Sequence, residues 1–511
     1  MTALARLALR PRGPRRHVGP RARWLFLCLA LGAAGNVKGQ CPDGTPPPCG
    51  ARPLPPPPNS VAVLYLENLS RDTSDAYLAD GLTEEVIIRL GHVQRLDVKS
   101  RFEVARYRGR GALQDPTALG RQLRASYLVI GSVQRAGDRV RLRYEVVRAA
   151  TRAQVAGDII DRASSDLLSV EAEIASQVAT AITGRLLPEE RSRLSRPLTS
   201  DPLAYEEYLR GLQALNSTYD EAAIRSALAH LDRAVARDSS FAAAFAAMAL
   251  GWTELADGYV SPRVGYGRAR VAAVRALRFD SSQALAEAVL ASAVLALDLD
   301  AREGERLGRR AVEMDPRSDQ SHSILSAALF AAGRPDEGVE EARLAWEDDS
   351  LLSNNGVWYA QVLVLTHRLD AAAALLPRIR AILPPADADA SEGMVVAARG
   401  DLRGARRFLD WRYYGGLVAG TYVRALLARG DTAAARATVD SMIAARGSGY
   451  YNPMAIAKAY AALGDVDRGI EWLRRAFDER TLWLTYVRED DELATLRADP
   501  RWAALDRQMR K

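Results

Sequence analysis

The feature that most constrains the fold of this chain is a short motif that recurs in step over its C-terminal half. Four segments carry it: AVARDS (234–239), ALRFDS (276–281), AVEMDP (311–316) and AWEDDS (345–350). Their first alanines are 42, 35 and 34 residues apart, and a small residue stands seven positions before each of them: Ala227, Ala269, Gly304 and Gly338. Small side chains in a fixed phase let two antiparallel helices pack closely, and each hairpin must bury its apolar face on the next. The sequence therefore predicts a continuous array of helix pairs beyond residue 202.

Two further segments, LLARGD (426–431) and AALGD (461–465), repeat the same pattern 34 residues apart. This array resembles the tetratricopeptide repeat (TPR), whose period is about 34 residues. The resemblance implies an all-α TPR superhelical solenoid over residues 202–511, with about seven repeats. The 42-residue interval indicates an insertion near 257–263, and residues 351–415 hold the phase poorly, so we expect degenerate repeats there.

Residues 59–187 have a different pattern, which predicts an α/β domain. An apolar run at 61–66 is consistent with a buried strand. The next segment starts at Ser74 or Asp75, ends near Gly91 and is consistent with a helix. A short strand near 96–98 and a helix opened by Asp115-Pro116 follow. Alternating residues over 127–133 and 139–147, joined by Ala136-Gly137-Asp138, predict a β-hairpin. A strand near 154–160 and a helix over about 165–186 complete the domain.

This domain resembles the TolB-like amino-terminal domain of bacterial envelope and signalling proteins. The stretches that carry the resemblance are VAVLYLENLS (61–70), YLADGLTEE (77–85), LGRQL (119–123) and YLVIGSVQRAGDRVRL (127–142). The fold class is therefore an α/β TolB-like domain followed by the all-α solenoid. A charged, proline-flanked stretch over residues 188–201 is interpreted as the linker between them.

Residues 1–40 have the composition of an export signal. They contain seven arginines, one lysine and no acidic residue, and an apolar run over 24–34 is followed by small residues. We expect a signal peptide or a membrane anchor, and hence export to the bacterial periplasm or a membrane-anchored position facing it; a cytoplasmic protein is the weaker alternative. Without these residues the chain has 61 basic and 63 acidic residues, so its charge gives no indication of nucleic-acid binding.

Residues 41–58 are a spacer rich in cysteine and proline. Asp43-Gly44 can reverse the chain between Cys41 and Cys49, which should form a disulfide in an oxidising compartment. Two free thiols or, less readily, a metal pair are the alternatives. Pro53 and the run 55–58 then predict a stiff extended spacer.

The sequence contains no recognisable catalytic constellation. It has no GxSxG, HExxH or phosphate-binding GxxxxGK[ST] motif, and its five histidines are scattered singly along the chain. Glu84 and Glu85 are interpreted as carboxylates that open a helix, where they would favour the helix dipole. We therefore expect no enzyme activity, no cofactor, no metal and no small-molecule substrate.

The resemblance to the repeat family implies that the first helix of each pair lines a concave groove that binds a protein or peptide partner. In the two repeats that begin at Leu285 and Asp319, the candidates are Ala286, Val289, Ala293, Gln320, Ser323 and Ala327. The lysine and asparagine side chains with which relatives hold a peptide carboxylate are absent there, so the groove should favour an apolar or extended segment.

These observations favour a non-enzymatic interaction scaffold or adaptor of the bacterial cell envelope, with a possible membrane tether at its N-terminus. The alternative is a sensory or regulatory protein that acts with a separate membrane kinase, cyclase or transcription regulator. Similar TolB-like and repeat combinations often follow such domains, and the roughly 23 residues before the apolar run are too few to form one, so we expect a separate partner chain.

Overall fold

The computed structural model describes residues 55–72, 75–109, 115–217, 220–350 and 353–509. From Pro55 onward the described chain forms one compact unit. Its first part is built on one mixed sheet. The strands are β1 (Ser60–Val63), β2 (Glu67–Asn68), β3 (Asp97–Val98), β4 (Tyr127–Ala136), β5 (Arg139–Arg148) and β6 (Ala153–Ala163).

The sheet has the strand order β3-β1-β4-β5-β6, and β2 pairs with the far end of β4. β1 runs parallel to β3 and β4, whereas β4, β5 and β6 are antiparallel neighbours. The predicted hairpin is confirmed: β4 and β5 pair along their whole length, and Gly137 has a positive φ that suits a two-residue turn. Alternate residues of β5 are buried and exposed, as expected for a sheet with one face in solvent.

The described residues of this part form five α-helices. They are α1 (Ala76–Gly91), α2 (Arg101–Ala105), α3 (Pro116–Gln122), α4 (Val170–Thr183) and α5 (Pro188–Ser195). α1 contacts strands of the sheet, α4 and a helix of the second part, so nearly all of its faces are covered. Asp115 caps α3 as the sequence indicated, and the predicted helix over 165–186 is a 3₁₀ turn followed by α4.

The stretch predicted to be a linker, 188–201, contains the helix α5. Leu194 on this helix is buried, and α5 contacts α4. The chain between the two parts is therefore packed against the α/β domain over its first turns. The position of the domain boundaries stays a prediction.

The second part is a series of antiparallel helix pairs. The first eight helices are α6 (Pro202–Ser217), α7 (Glu221–Arg237), α8 (Ala242–Leu255), α9 (Pro262–Phe279), α10 (Ala284–Leu297), α11 (Ala301–Met314), α12 (Asp319–Ala331) and α13 (Pro335–Asp348). The next eight are α14 (Ser353–Leu365), α15 (Leu369–Ile382), α16 (Pro385–Ala398), α17 (Leu402–Ala405), α18 (Ala419–Ala428), α19 (Thr432–Ser448), α20 (Pro453–Leu463) and α21 (Val466–Glu479). Two short helices follow, α22 (Ala494–Arg497) and α23 (Pro500–Gln508).

The small residues of the repeated motif stand where neighbouring helices approach most closely. A Cβ atom on Gly304 of α11 would lie 2.5 Å from Leu295 of α10, and one on Gly338 of α13 would lie 2.7 Å from Phe330 of α12. Ala227 and Ala269 hold the same position in the two preceding pairs and are wholly buried. The prediction of an all-α solenoid after an α/β domain is confirmed, and the predicted small residues are what lets its helices nest.

The irregular parts of the array lie where the spacing of the motif changes. The longer first interval corresponds to a loop over 256–261 between α8 and α9. The region 351–415 continues as helix pairs, but α17 has only four residues and an irregular stretch with a 3₁₀ turn, Tyr413–Gly416, follows it. Within the described residues, seven pairs have two helices of ten residues or more, and α16–α17 is the exception.

Residues 1–54 lie outside the described part of the chain, so the predicted signal or anchor and the pair Cys41 and Cys49 stay predictions. Among the helices that the structure does describe, none combines the length and the apolar character needed to span a bilayer.

Candidate functional site

The predicted groove residues lie on α10 and α12, the first helices of two successive pairs. Ala286, Val289 and Ala293 are 0% exposed and Ala327 is 8% exposed. Gln320 and Ser323 are half-buried. In this structure the side chains of the three α10 residues are therefore inaccessible to a partner, and a role for Gln320 and Ser323 stays a prediction.

The groove formed by α10 and α12 is covered by the chain's own residues 481–493, here called the inner segment. Its 3₁₀ turn, Leu482–Tyr486, contacts both helices. Leu482 packs on the cluster that contains Ala293. Next to it, the rings of Tyr486 and Trp358 of α14 have their centroids 5.7 Å apart. The apolar segment that the sequence predicted for a partner is thus supplied by this chain.

The inner segment is an integral part of the core rather than a loosely held peptide. Its side chains Trp483, Leu484, Tyr486 and Val487 are all buried in one cluster with residues of α14, α18 and α20. Burying one large apolar side chain contributes about 1.5–3 kcal/mol. A competitor would therefore have to compensate for about 6–12 kcal/mol from these four residues before it gained any affinity.

Asp257 fixes the start of the inner segment. It lies in the loop between α8 and α9 with φ +63° and is buried. Its carboxylate accepts hydrogen bonds from the backbone N–H of Leu482 at 3.0 Å, the Tyr266 hydroxyl at 3.0 Å, the Asn452 amide at 3.3 Å and the Thr481 hydroxyl. Burial raises the pKa of Asp257 to about 6, although the hydrogen bonds oppose the rise. Residues more than 220 positions apart are joined at this one side chain.

Other contacts close the array at the same place. The guanidinium of Arg263 on α9 donates to the carbonyl oxygen of Asp478 on α21 at 2.6 Å. Lys458 of α20 is buried and pairs with Asp490 at 2.5 Å and Glu492 at 3.5 Å. Burial alone would lower the pKa of Lys458, but the two carboxylates outweigh it and raise that pKa. The α20–α21 pair is therefore attached to the α8–α9 pair, and the inner segment is fixed at both ends.

A second polar cluster joins the α/β domain to the chain that leads into the solenoid. The Arg89 guanidinium contacts the carboxylates of Glu171 at 3.1 Å and Glu85 at 3.2 Å, and it donates to the carbonyl oxygen of Leu194 at 2.8 Å. Burial raises the pKa of Glu171 to about 8, with Arg89 acting in the opposite direction. Burial likewise raises the pKa of Glu85. One buried cation thus holds α1, α4 and α5 together.

The interpretation of Glu84 and Glu85 as helix-opening carboxylates is wrong. Both lie in the middle of α1 and are buried, because this helix is enclosed by the sheet on one side and by α6 on the other. Glu84 accepts a hydrogen bond from the Tyr65 hydroxyl at 3.0 Å, and Glu85 faces Arg89. The i,i+4 spacing of Glu85 and Arg89 within an apolar run was the available sequence signal.

Helices α1 and α6 meet directly where the two parts of the protein join. A Cβ atom on Gly81 would lie 2.8 Å from Leu209 of α6, so the helices approach as closely as glycine permits. The Tyr77 hydroxyl donates to Glu206 of α6 at 2.6 Å and accepts from Arg135 of β4 at 2.9 Å. Burial and the hydrogen bond with Glu206 raise the pKa of Tyr77 to about 12. These contacts fix the orientation of the α/β domain on the solenoid.

An open cleft of about 710 Å³ lies beside this junction. Its charged side chains already have partners within the chain. Arg237 pairs with Asp201 at 3.1 Å, and Asp238 accepts from Thr199 at 2.6 Å. Within the described ranges, no group of three or more His, Cys, Asp or Glu residues could hold a metal ion. The cleft therefore offers a ligand little unsatisfied charge.

Comparisons with known proteins give partial likenesses. No protein-family model matches the chain. The putative adenylate cyclase 3 of Rhizobium meliloti (strain 1021) is 30% identical over 207 residues, which are 40% of this chain and 35% of that protein. The chain thus spans about a third of the length of this curated relative.

Solved TPR-containing structures give low similarity scores. YrrB, described as a TPR protein with an unusual peptide-binding site, is 17% identical over 36% of this chain and 90% of that chain, with a TM-score of 0.26. Yeast Tom70 is 13% identical over 60% and 67% of the two chains, with a TM-score of 0.36. The Cut9–Hcn1 hetero-tetramer of the APC/C is 12% identical over 67% and 76%, with a TM-score of 0.34. The assignment of TPR repeats depends on the helix pairs and their 34-residue period rather than on these scores.

Proposed function

We propose that this chain is a non-enzymatic protein-interaction scaffold of the bacterial cell envelope. In this proposal it is exported to the periplasm, or anchored in the membrane facing the periplasm, by residues 1–40. Its TolB-like domain and its TPR solenoid present separate surfaces to protein partners.

The observation that carries the proposal is the way the two parts are joined and closed. Buried contacts around Arg89, Tyr77 and Gly81 hold the α/β domain against the solenoid. The inner segment covers the α10–α12 groove, and its core packing makes displacement costly. The result is a stiff platform in which partners would contact outer surfaces at fixed separations. Four of the six groove residues predicted from the sequence, Ala286, Val289, Ala293 and Ala327, are then part of the core that keeps this platform in shape.

Affinity purification from envelopes tests this proposal. The full chain, tagged at its C-terminus, is expressed in a bacterium and purified from detergent-solubilised envelopes and, as a control, from the cytosolic fraction. We expect near-stoichiometric envelope proteins in the first preparation, and N-terminal sequencing should identify the mature end. A chain that stays in the cytosol, or envelope preparations free of partners, would contradict the proposal.

A second candidate function is favoured by the identity with the protein named putative adenylate cyclase 3. In this alternative the chain is a sensory or regulatory component that acts on a separate signalling protein, such as a cyclase or a kinase. Purified complexes are assayed for cyclic AMP formation from ATP. Activity that needs both the chain and its partner supports this alternative, whereas activity of the pure chain by itself would refute the non-enzymatic assignment.

A further inference from the structure

Helix α9 exposes an unusual number of apolar side chains for an outer helix of the solenoid. Val264, Val271, Val274 and Phe279 are 46%, 58%, 50% and 38% exposed. They are four of the ten large hydrophobic side chains that are exposed within the described residues. Single exposed hydrophobics are normal on a soluble protein, but several on one helix mark an interaction surface.

The exposed residues of α9 lie along one face of the helix. Val264 and Val271 are two helical turns apart, about 10 Å along the axis, and Val274 follows one turn later. The opposite face packs into the solenoid through Tyr266, Ala269, Ala273 and Ala276, all of which are buried. The apolar stripe is therefore additional to the face that α9 uses for its own fold.

The same face of α9 is strongly basic. The helix contains five arginines and no acidic residue: Arg263, Arg268, Arg270, Arg275 and Arg278. Arg270 pairs with Asp298 at 2.6 Å. Within the described chain, Arg268, Arg275 and Arg278 have no carboxylate partner. The guanidinium groups of Arg268 and Arg275 lie 4.4 Å and 5.5 Å from the ring centroids of Trp252 and Phe245.

The neighbouring outer helices pair most of their arginines with carboxylates of the chain. On α11, Arg306 pairs with Glu303 at 2.7 Å and Arg309 with Glu305 at 2.8 Å. On α13, Arg343 is held between two glutamates. Within the described chain, single arginines without a carboxylate partner also occur on other outer helices, such as Arg302 on α11 and Arg378 on α15. α9 differs because three such arginines lie on the same helix face as its exposed valines.

We propose that the outer face of α9 (Val264, Arg268, Val271, Val274, Arg275 and Arg278) is the docking surface for an acidic amphipathic helix of a protein partner. This inference rests on the proposed scaffold function and names the surface through which it acts. The partner's apolar residues would pack on the valine stripe, and its carboxylates would pair with the three arginines. Because two of these arginines are already stacked on aromatic rings, less side-chain entropy is lost when they bind.

The shape of the surface favours a helix over a lipid bilayer. α9 has 18 residues and is about 27 Å long, which suits a partner helix of similar length. Apolar residues at spacings of three and seven match the ridges of a second helix. Helices that bind membranes bury larger side chains such as Trp, Phe and Leu, whereas this stripe is formed mainly by valines.

Site-specific photo-crosslinking in the full chain tests the inference. A photoreactive residue replaces Val271 in cells, and the crosslinked partner peptide is identified by mass spectrometry. We expect protein adducts that map to an acidic amphipathic helix. The double variant Arg275→Glu, Arg278→Glu should reduce their yield by about tenfold or more, because charge-assisted pairs become repulsive. Arg306→Glu on α11 is the matched control and should leave the adduct yield unchanged. The unfolding midpoint should be the same in every variant as in the original chain.

Three outcomes would overturn the inference: lipid adducts, adducts to a basic or neutral segment, or a yield no higher than with the photoreactive residue at position 306. Failure of the inference can be told from failure of the scaffold function. If the double variant still recovers the envelope partner, the scaffold function stands and the partner binds elsewhere. If neither the original chain nor the double variant recovers a partner, the scaffold function itself fails.

Discussion

Replacing Asp257 by alanine should release the inner segment from the solenoid. The carboxylate accepts four hydrogen bonds from groups on α9, on α20 and at the start of the inner segment. The two hydroxyl donors can rotate toward other acceptors. The Asn452 amide keeps its other hydrogen bond, to the Thr481 hydroxyl oxygen at 3.0 Å. The backbone N–H of Leu482 is fixed by the chain and would lose its acceptor.

The expected loss of unfolding free energy follows from these contacts. Each hydrogen bond to a charged group contributes about 1.5–3 kcal/mol, so the one fixed donor, the Leu482 N–H, gives about 1.5–3 kcal/mol. Asp257 has a left-handed φ, and alanine there adds about 1 kcal/mol or more of backbone strain. Arg124 is the matched control, since its φ is +49° and its side chain is exposed on the turn after α3, and Arg124→Ala should show only the backbone part.

The effect of Asp257→Ala should also depend on pH. The pKa of Asp257 is about 6 in the folded chain against 3.8 for an ordinary aspartate. The stability that this raised pKa contributes is complete below pH 3.8 and is lost as the pH rises through 6. The difference between the original chain and Asp257→Ala should therefore be about 1–2 kcal/mol smaller at pH 7.5 than at pH 5.

Two measurements check this prediction: urea unfolding at both pH values, and hydrogen exchange of the amides of 481–487. We expect those amides to lose protection in Asp257→Ala and to keep it in Arg124→Ala. Unchanged protection in Asp257→Ala, or a loss of stability no larger than in the control, would refute the role assigned to this carboxylate.

Three other substitutions probe the junction between the two parts. Arg89→Met leaves two buried carboxylates without their cation and should cost about 3–5 kcal/mol in urea unfolding. Arg225→Met removes an exposed i,i+4 ion pair with Glu221 and should cost under about 1 kcal/mol. Gly81→Ala overpacks the α1–α6 contact and should destabilise the protein by about 1–3 kcal/mol. Gly91→Ala, whose added Cβ atom meets open space, should not destabilise it. Equal thermal midpoints of these two variants would exclude a close contact at Gly81. The pKa of Glu171 is about 8 in the folded chain against 4.5 for an ordinary glutamate, so the free energy of unfolding should fall as the pH rises from 4.5 to 8. In urea titrations, Glu171→Gln should make the free energy of unfolding less dependent on pH over this range.

The proposed envelope location and the proposed docking surface on α9 are tested by different experiments. The proposed export would depend on residues 1–40, whose composition predicts a signal or an anchor. The proposed docking would depend on exposed arginines and valines of α9. Fractionation therefore tests the first, and crosslinking at Val271 tests the second, so each can fail while the other holds.

The sequence by itself determined the class of both parts and most of their elements. Small residues in a fixed phase specify helix pairs because larger side chains would hold the helices apart. Even a Cβ atom would lie 2.5 Å from Leu295 at Gly304 and 2.7 Å from Phe330 at Gly338. Alternating residues on both sides of Gly137-Asp138 specify the hairpin because side chains alternate between the faces of a strand. Both patterns are local, because the residues that form each pattern lie within one helix pair or one hairpin.

Only the tertiary structure decided what fills the groove and which polar residues are buried. Asp257 and Thr481 are 224 positions apart, and no local pattern relates them; their contact forms only in the packed array. The same packing places the inner segment on α10 and α12, where it covers the predicted groove. The burial of Glu85 likewise depends on α6 closing over α1, an arrangement that the sequence of α1 does not contain. Long-range packing, rather than the repeat pattern, thus determined which surfaces remain for a partner.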